Sequence, residues 1–306
     1  MNRRRWNVAI VGPGKVGLVF GKTLKKGGDT IAAVIARTEA SAKRGAAFLG
    51  CRTCGTNLER IPETTNVVLL TVPHIAVEQV ARGLALLPHL SFRSMSFCHA
   101  SGMLTAEALA PLSERGATVV SFHPLQTFPR DFTPEQILPS LPGIWYGIDG
   151  TLRGIRFAKA LAARLSGKTV VIPPELREFY HAACVVASNH LTALLGVIDE
   201  MHHALGMKRV PFHALFGPII DTTLRNVLAT SPTQALSGPV ARGGTETIGK
   251  HLESIRQHRP ELLPYYAAMT MATVRLALTK GSIDERRAAE FRGLVEAYLS
   301  PHSSSD

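Results

Sequence analysis

The strongest constraint on this chain is the hexapeptide Gly12-Pro13-Gly14-Lys15-Val16-Gly17, which follows the apolar run NVAIV at residues 7–11 and opens a helix-like stretch at 15–26. A strand that ends in G-x-G-x-x-G and feeds a helix is the turn of a βαβ unit that cradles a dinucleotide pyrophosphate. Gly12 permits the tight turn, Gly14 lets the backbone approach the phosphates, and Gly17 lets helix and strand pack closely. Lys15 and Val16 begin the helix, whose free N–H groups and positive dipole end favour an anion.

Further apolar runs recur at residues 30–36 (TIAAVIA), 66–72 (NVVLLTV), 93–98, 118–122 (TVVSF), 143–148 and 169–172. Short continuous runs of this kind suit strands buried on both faces. Helix-like stretches at 39–49, 75–87, 105–114 and 152–165 alternate with them, which predicts an α/β fold with a Rossmann-type, doubly wound, mostly parallel sheet. Residues 129–142 hold four prolines and read as a loop. After Pro173-Pro174 the pattern turns helical throughout, beginning with one helix over about 175–204. The boundary between an NADP-binding domain, 1–173, and an all-α substrate and dimerisation domain, 174–306, is expected there. The polar tail at 301–306 is expected to fray.

Composition narrows the class. The 306 residues are 45% hydrophobic, enough for real cores. The net charge of +11 comes with only 6% aromatic residues and scattered Lys and Arg. That argues for attraction of anionic small molecules rather than nucleic-acid binding. The N-terminus lacks the long apolar stretch of a signal peptide, and no run approaches the roughly 20 apolar residues of a membrane span, so a cytoplasmic protein without membrane contact is expected. The four cysteines are too few for a disulfide scaffold; Cys51-Arg-Thr-Cys54 has no second pair to complete a metal site and reads as two ordinary thiols. Twelve histidines lack chelating spacing, and the adjacent His202 and His203 would point about 100° apart on a helix, so no metal is expected.

The tip of the second strand reads Ala36-Arg37-Thr38, where NAD-binding sequences usually carry an acid for the ribose hydroxyls. Arg37 can pair with a 2′-phosphate and Thr38 can hydrogen-bond it, which points to NADP. The third strand ends in Thr71-Val72-Pro73, whose backbone is placed to line the cofactor riboses; His74 after it reads best as a helix cap. His99-Ala100-Ser101-Gly102 follows the fourth strand, and Ser101 is small enough to admit a nicotinamide ring. His123 follows the fifth and could touch substrate.

The order GPGKVG, ART, TVPH, HASG, FHPLQTF at 122–128, YHAACVVASNHL at 180–191 and LSGPVARGG at 236–244 resembles a family of bacterial Rossmann-like oxidoreductases whose C-terminal domain has no assigned function. The wider superfamily is similar to pyrroline-5-carboxylate reductase, 6-phosphogluconate dehydrogenase, prephenate dehydrogenase and ketopantoate reductase. The resemblance spans nearly the whole chain. It implies two domains, use of NADP and a homodimer through the helical domain, but no particular substrate; alternative ketopantoate reduction is one option. In one respect the chain departs from the superfamily: hydroxyacid dehydrogenases of this group carry Lys-x-x-x-Asn on the interdomain helix, and here Val185 stands four residues before Asn189.

On an ideal helix over 175–204, Tyr180, His181, Ser188, Asn189 and Thr192 share a side. Reduction of a carbonyl or imine needs a proton donor and hydrogen bonds to the developing anion. His181 is the candidate acid, with Asn189 and Ser188 orienting the substrate oxygen; Tyr180 and His123 are candidate substrate contacts. Ser237 and Arg242, in a Gly/Pro-rich interruption of helical sequence, could clamp a substrate carboxylate. The expected activity is NADP-dependent reduction of a small carboxylate-bearing carbonyl or imine. The rivals are a non-catalytic NADP(H) sensor and, against the evidence of Arg37, a methyltransferase.

Overall fold

The computed structural model describes residues 5–207 and 209–300; the tail at 301–306 lies outside them. Eight strands form one sheet: β1 (Asn7–Val11), β2 (Thr30–Ile35), β3 (Cys54–Gly55), β4 (Val67–Leu70), β5 (Ser96–His99), β6 (Thr118–Pro124), β7 (Trp145–Gly150) and β8 (Lys168–Val171). The order across the sheet is β3-β2-β1-β4-β5-β6-β7-β8. All neighbours are parallel except β6 and β7, which pair antiparallel with Phe122 opposite Ile148.

The apolar runs are explained by burial on both faces. Side chains alternate along a strand, and here they alternate between two cores. Val8, Ile10, Val67, Leu69, Val120 and Phe122 enter one. Ala9, Val11, Val68, Leu70, Phe97 and Val119 enter the other. The first core is covered by α1 (Lys15–Lys26), α2 (Glu39–Leu49) and α6 (Leu152–Arg164), through Phe20, Leu24, Leu49 and Leu161. The second is covered by α3 (Val77–Ala85) and α4 (Ala110–Glu114), through Val77, Ala81, Leu84 and Leu112.

The proline-rich segment read as a loop contains a short helix, α5 (Pro134–Ile137), started by a Thr133–Gln136 capping box. The two-residue β3 was not expected. Its Cys54 and the nearby Cys51 are free thiols; Cys51 donates to Thr53 O at 3.3 Å, and burial raises its pKa, the reverse of an activated thiol.

The helix expected over 175–204 is interrupted. A 3₁₀ turn (Pro174–Leu176) leads into α7 (Arg177–Val185), a π-helical turn (Val186–His190) follows, and α8 (Leu191–Ala204) continues. The π turn inserts a residue, so positions after it are rotated relative to Tyr180 and His181 and the ideal shared face is broken.

One helical run is apolar enough on average to be compared with a membrane span. The helical run Pro174–Ala204 has the length and average composition of such a span, and its most apolar stretch is not buried among the described residues. Its apolar residues are interleaved with Ser, Asn, Thr and His, which hides the average from a search for an unbroken run.

The chain divides into two compact units, Met1–Ser188 and Asn189–Asp306. The second unit holds α8, α9 (Phe212–Ala229), α10 (Pro232–Ala235), α11 (Thr245–His258), α12 (Leu263–Lys280) and α13 (Glu285–Leu299). Its core, including Leu252, Ala267, Val274 and Phe291, is built by α11, α12 and α13. By contrast, α9 has no buried residue and α8 only His202.

Candidate functional site

The glycine turn has the geometry its sequence requires. Gly12 lies at φ +93°, and a Cβ there would stand 2.8 Å from the Thr71 carbonyl and from Val72. Thr71 Oγ1 donates to Gly12 O at 2.6 Å, so Thr71 and Val72 brace the turn from β4. A side chain at Gly17 would collide with Thr71 Oγ1, which is how closely helix meets strand. At Gly14 a Cβ would meet nothing within 4 Å, so space for a ligand opens there. Gly14 is the N-cap of α1 with no side-chain cap and no acid in the first turn, leaving the N–H groups around Lys15 and Val16 to serve an anion.

The strand order reverses at β1, between β2 and β4, and the crevice at such a switch point is where open α/β sheets take ligands. Arg37 and Thr38 are exposed at the tip of β2. Thr38 Oγ1 also accepts from Ser41 N at 3.3 Å as the N-cap of α2, so its hydroxyl is already oriented. Pro73 is exposed and precedes a 3₁₀ turn (His74–Ala76) in which His74 is the first residue, with no side-chain cap. These residues fit an adenine dinucleotide: an open glycine cradle, an uncapped helix start and an exposed strand tip.

A second cluster sits at the ends of β5 and β6. His99 is fully buried; its Nδ1 accepts from Ser101 N at 3.2 Å, so Nε2 carries the proton and donates to Thr105 O at 2.9 Å. Burial lowers its pKa to about 4. Ser101 Oγ accepts from Met103 N and Leu104 N, so this hydroxyl shapes the loop. At Gly102 a Cβ would collide with the His181 ring and stand 2.9 Å from His123 Nε2; both imidazoles lie over its Cα. The two rings are 5.9 Å apart.

Tyr180 crosses from α7 to β7, where its hydroxyl rests on Gly147 and would strike any Cβ there. The same hydroxyl is 2.9 Å from His123 Nδ1. Burial, then the charge of Arg177, lowers His123 to about 4, so it is neutral near pH 7.

Sequence reasoning brought Tyr180, His181, His123 and Ser101 forward, and the fold gathers all four. Ser188 Oγ donates back to Cys184 O at 2.9 Å, and Asn189 follows it in the π turn. Ser237 and Arg242 belong to the helical unit, both exposed, beside a turn in which Gly243 takes φ +71°. Sequence reasoning missed Arg177 and Asp149. They form a buried ion pair at 3.2 Å beneath this cluster, and a lone Arg on a helix start and a lone Asp ending a strand give no local sign of it.

The helical unit also holds Asp199, His202 and His203, whose ligand-type atoms lie within 4.8 Å of one another. The two imidazole planes are tilted 77° to one another, with centroids 5.7 Å apart. His203 is occupied by Asp199 O at 2.8 Å.

Fold and glycine turn together define a Rossmann-like protein. A Rossmann-like domain matches residues 1–124, and the domain of unknown function DUF2520 matches residues 144–273. The first match covers the segment of the glycine turn, and the second covers much of the segment that follows. Among solved structures it is similar to protein TM1727 of Thermotoga maritima, at 25% identity and TM-score 0.70, over 89% of this chain and 99% of that one. It also resembles BF3122 of Bacteroides fragilis, a candidate NADP oxidoreductase, at 22% identity and TM-score 0.69, over 89% and 98%. A pyrroline-5-carboxylate reductase of Coxiella burnetii shares the fold at 16% identity and TM-score 0.57, over 90% and 99%. No protein of curated function matches the sequence.

Proposed function

We propose that the chain is an NADP-dependent oxidoreductase that reduces a small carbonyl or imine bearing a carboxylate, working as a homodimer joined through its helical unit. The observation that carries the reading is the pair of imidazoles over Gly102 at the end of β5, two strands along the sheet from the open glycine turn after β1.

Gly12, Gly14, Gly17 and the start of α1 would hold the pyrophosphate, and Thr71, Val72 and Pro73 would line the riboses. Arg37 with Thr38 would hold the 2′-phosphate. Bound there, the cofactor supplies a hydride. The chain's own residues must then bind, orient and protonate. His181 makes no hydrogen bond among the described residues, and an imidazole can give a proton near neutral pH, so it is assigned as the acid. His123, held neutral, is assigned to the developing negative charge on oxygen or nitrogen. The net charge of +11 favours an anionic substrate.

The dimer reading is supported by α8 and α9. They border an apolar cavity of about 690 Å³ with Leu194, Ile198, Phe216 and Ile220 among its walls, and Ile219 and Leu228 stand exposed on α9. Apolar helix faces of this extent need cover. A second copy can supply it through the same surface on both chains.

The test is NADPH oxidation across a panel of 2-oxo acids and cyclic imino acids. Turnover that His181→Ala reduces by about 10²- to 10⁴-fold, with cofactor affinity kept, is expected. No turnover with any member of the panel would count against the reading.

A further inference from the structure

Arg177 is among the largest fully buried side chains of the described chain, although it carries a permanent charge. It opens α7, three residues before Tyr180 and four before His181. Its Nε and both terminal nitrogens have partners. Nε donates to Gly102 O at 2.9 Å, and one terminal nitrogen donates to Ser101 O at 3.0 Å and Ser121 Oγ at 2.5 Å. The other reaches Gly147 O at 3.5 Å and Asp149 Oδ2 at 3.2 Å. Asp149 Oδ1 meanwhile accepts from Ala106 N at 2.6 Å. One side chain therefore joins the loop after β5, the strands β6 and β7, and the start of α7.

Stability does not account for this. A buried ion pair costs desolvation that a well-packed apolar pair would avoid. Burial pushes the Asp149 carboxyl up, against the Ala106 N–H bond and the Arg177 charge, and pushes the Arg177 guanidinium down, against the Asp149 charge. Its retention fits a need for a defined geometry, and the two carbonyls it grips flank the Cα over which His123 and His181 lie.

We propose that Arg177, paired with Asp149, is the positioning residue of this site: it locks the Ser101–Gly102 loop and the first turn of α7 together, so that Tyr180 meets His123 and His123 offers its Nε2–H to substrate. The inference rests on the oxidoreductase reading for its purpose, but its geometry stands apart from any substrate. Tyr180 has two neighbours for its proton, His123 Nδ1 and the Cys184 thiol. Imidazole nitrogen is much the better acceptor. Tyr180 therefore donates to Nδ1, and the His123 proton sits on Nε2, for which the described residues supply no partner.

The groups facing His123 are His99 from β5, Arg177, Tyr180 and His181 from α7, with Asp149 on β7 behind Arg177. Among them Arg177 is the permanent cation. Its charge adds to burial in holding His123 low, so its removal is expected to let the His123 pKa rise from about 4.

The test is histidine side-chain ¹H–¹⁵N spectroscopy on the full-length chain, comparing wild type with Arg177→Lys and with the neutralised pair Arg177→Met/Asp149→Asn. The second variant keeps an acceptor for Ala106 N. The expected wild-type result is a neutral Nε2–H tautomer for His123 at pH 7. In the folded pair variant its pKa rises above the wild-type value, the Ser101 and Gly102 amides shift, and turnover on the panel falls at least tenfold. A wild-type Nδ1–H tautomer would overturn the proposal without any variant. So would an unchanged His123 titration in a folded variant. A panel with no turnover bears on the oxidoreductase reading and leaves the spectroscopic result to decide this one.

Discussion

The hydroxyl of Tyr180 lies 2.9 Å from Nδ1 of His123, bridging the helix that follows the sheet to the end of β6. A single hydrogen bond of this kind contributes about 1 kcal/mol, and here it also selects the tautomer. Tyr180→Phe should therefore leave the fold intact, yield a mixture of His123 tautomers by ¹⁵N shifts, and lower kcat by about tenfold, the equivalent of roughly 1.4 kcal/mol.

Gly102 has no room for a methyl group, since a Cβ would enter the His181 ring and crowd His123 Nε2. Gly102→Ala should cost about 1–3 kcal/mol by urea unfolding, the usual range for overpacking, and should abolish turnover by displacing both imidazoles. An alanine variant with wild-type stability and activity would mean that the rings do not sit where they are described.

Acid should weaken the sheet-bearing unit in a defined window. His99 is buried neutral, with a pKa lowered from 6.5 to about 4 by burial and the nearby Arg177, against its bond to Thr105. A depressed histidine stabilises the fold fully above its unfolded value. That contribution is lost as pH falls from about 6.5 to about 4. His123 acts in the same sense over the same range. The loss attributable to His99 is roughly 3 kcal/mol. Unfolding free energy measured by urea should be flat from pH 8 to 7 and fall steadily below 6.5; His99→Asn should flatten that slope.

The helical unit supplies a prediction of its own. Light scattering on the purified chain should give the mass of two copies, and Ile219→Glu with Leu228→Glu on α9 should give one. A wild-type monomer in aqueous buffer would remove the dimer. Detergent dependence would direct attention instead to the apolar run Pro174–Ala204.

How much of this was legible in the sequence depends on the range of the interactions. The strands β1, β2, β4 and β6 declare themselves because burial on both faces demands an unbroken apolar run. The glycine turn is legible from its own spacing, although Thr71, which crowds Gly12 and Gly17, lies far off in sequence. By contrast, β3 is two residues long and carries no pattern. The π turn at Val186–His190 has no compositional signature, so the ideal-helix face drawn through Ser188 and Asn189 missed the rotation. Arg177 reads as an ordinary charged residue on a first helical turn. Its burial is set by partners 28 to 76 positions away, after β5 and on β6 and β7, beyond the reach of any local rule.

The central claim is that a 2′-phosphorylated dinucleotide is held between the Gly12–Gly17 turn and Arg37. Titration calorimetry of the wild-type chain and of Arg37→Ala, with NADPH and with NADH, tests it most directly. The account predicts that wild type prefers NADPH at least tenfold and that the substitution removes the preference while NADH binding is unchanged. Binding of neither cofactor, or a preference for NADH that Arg37→Ala leaves untouched, would contradict it.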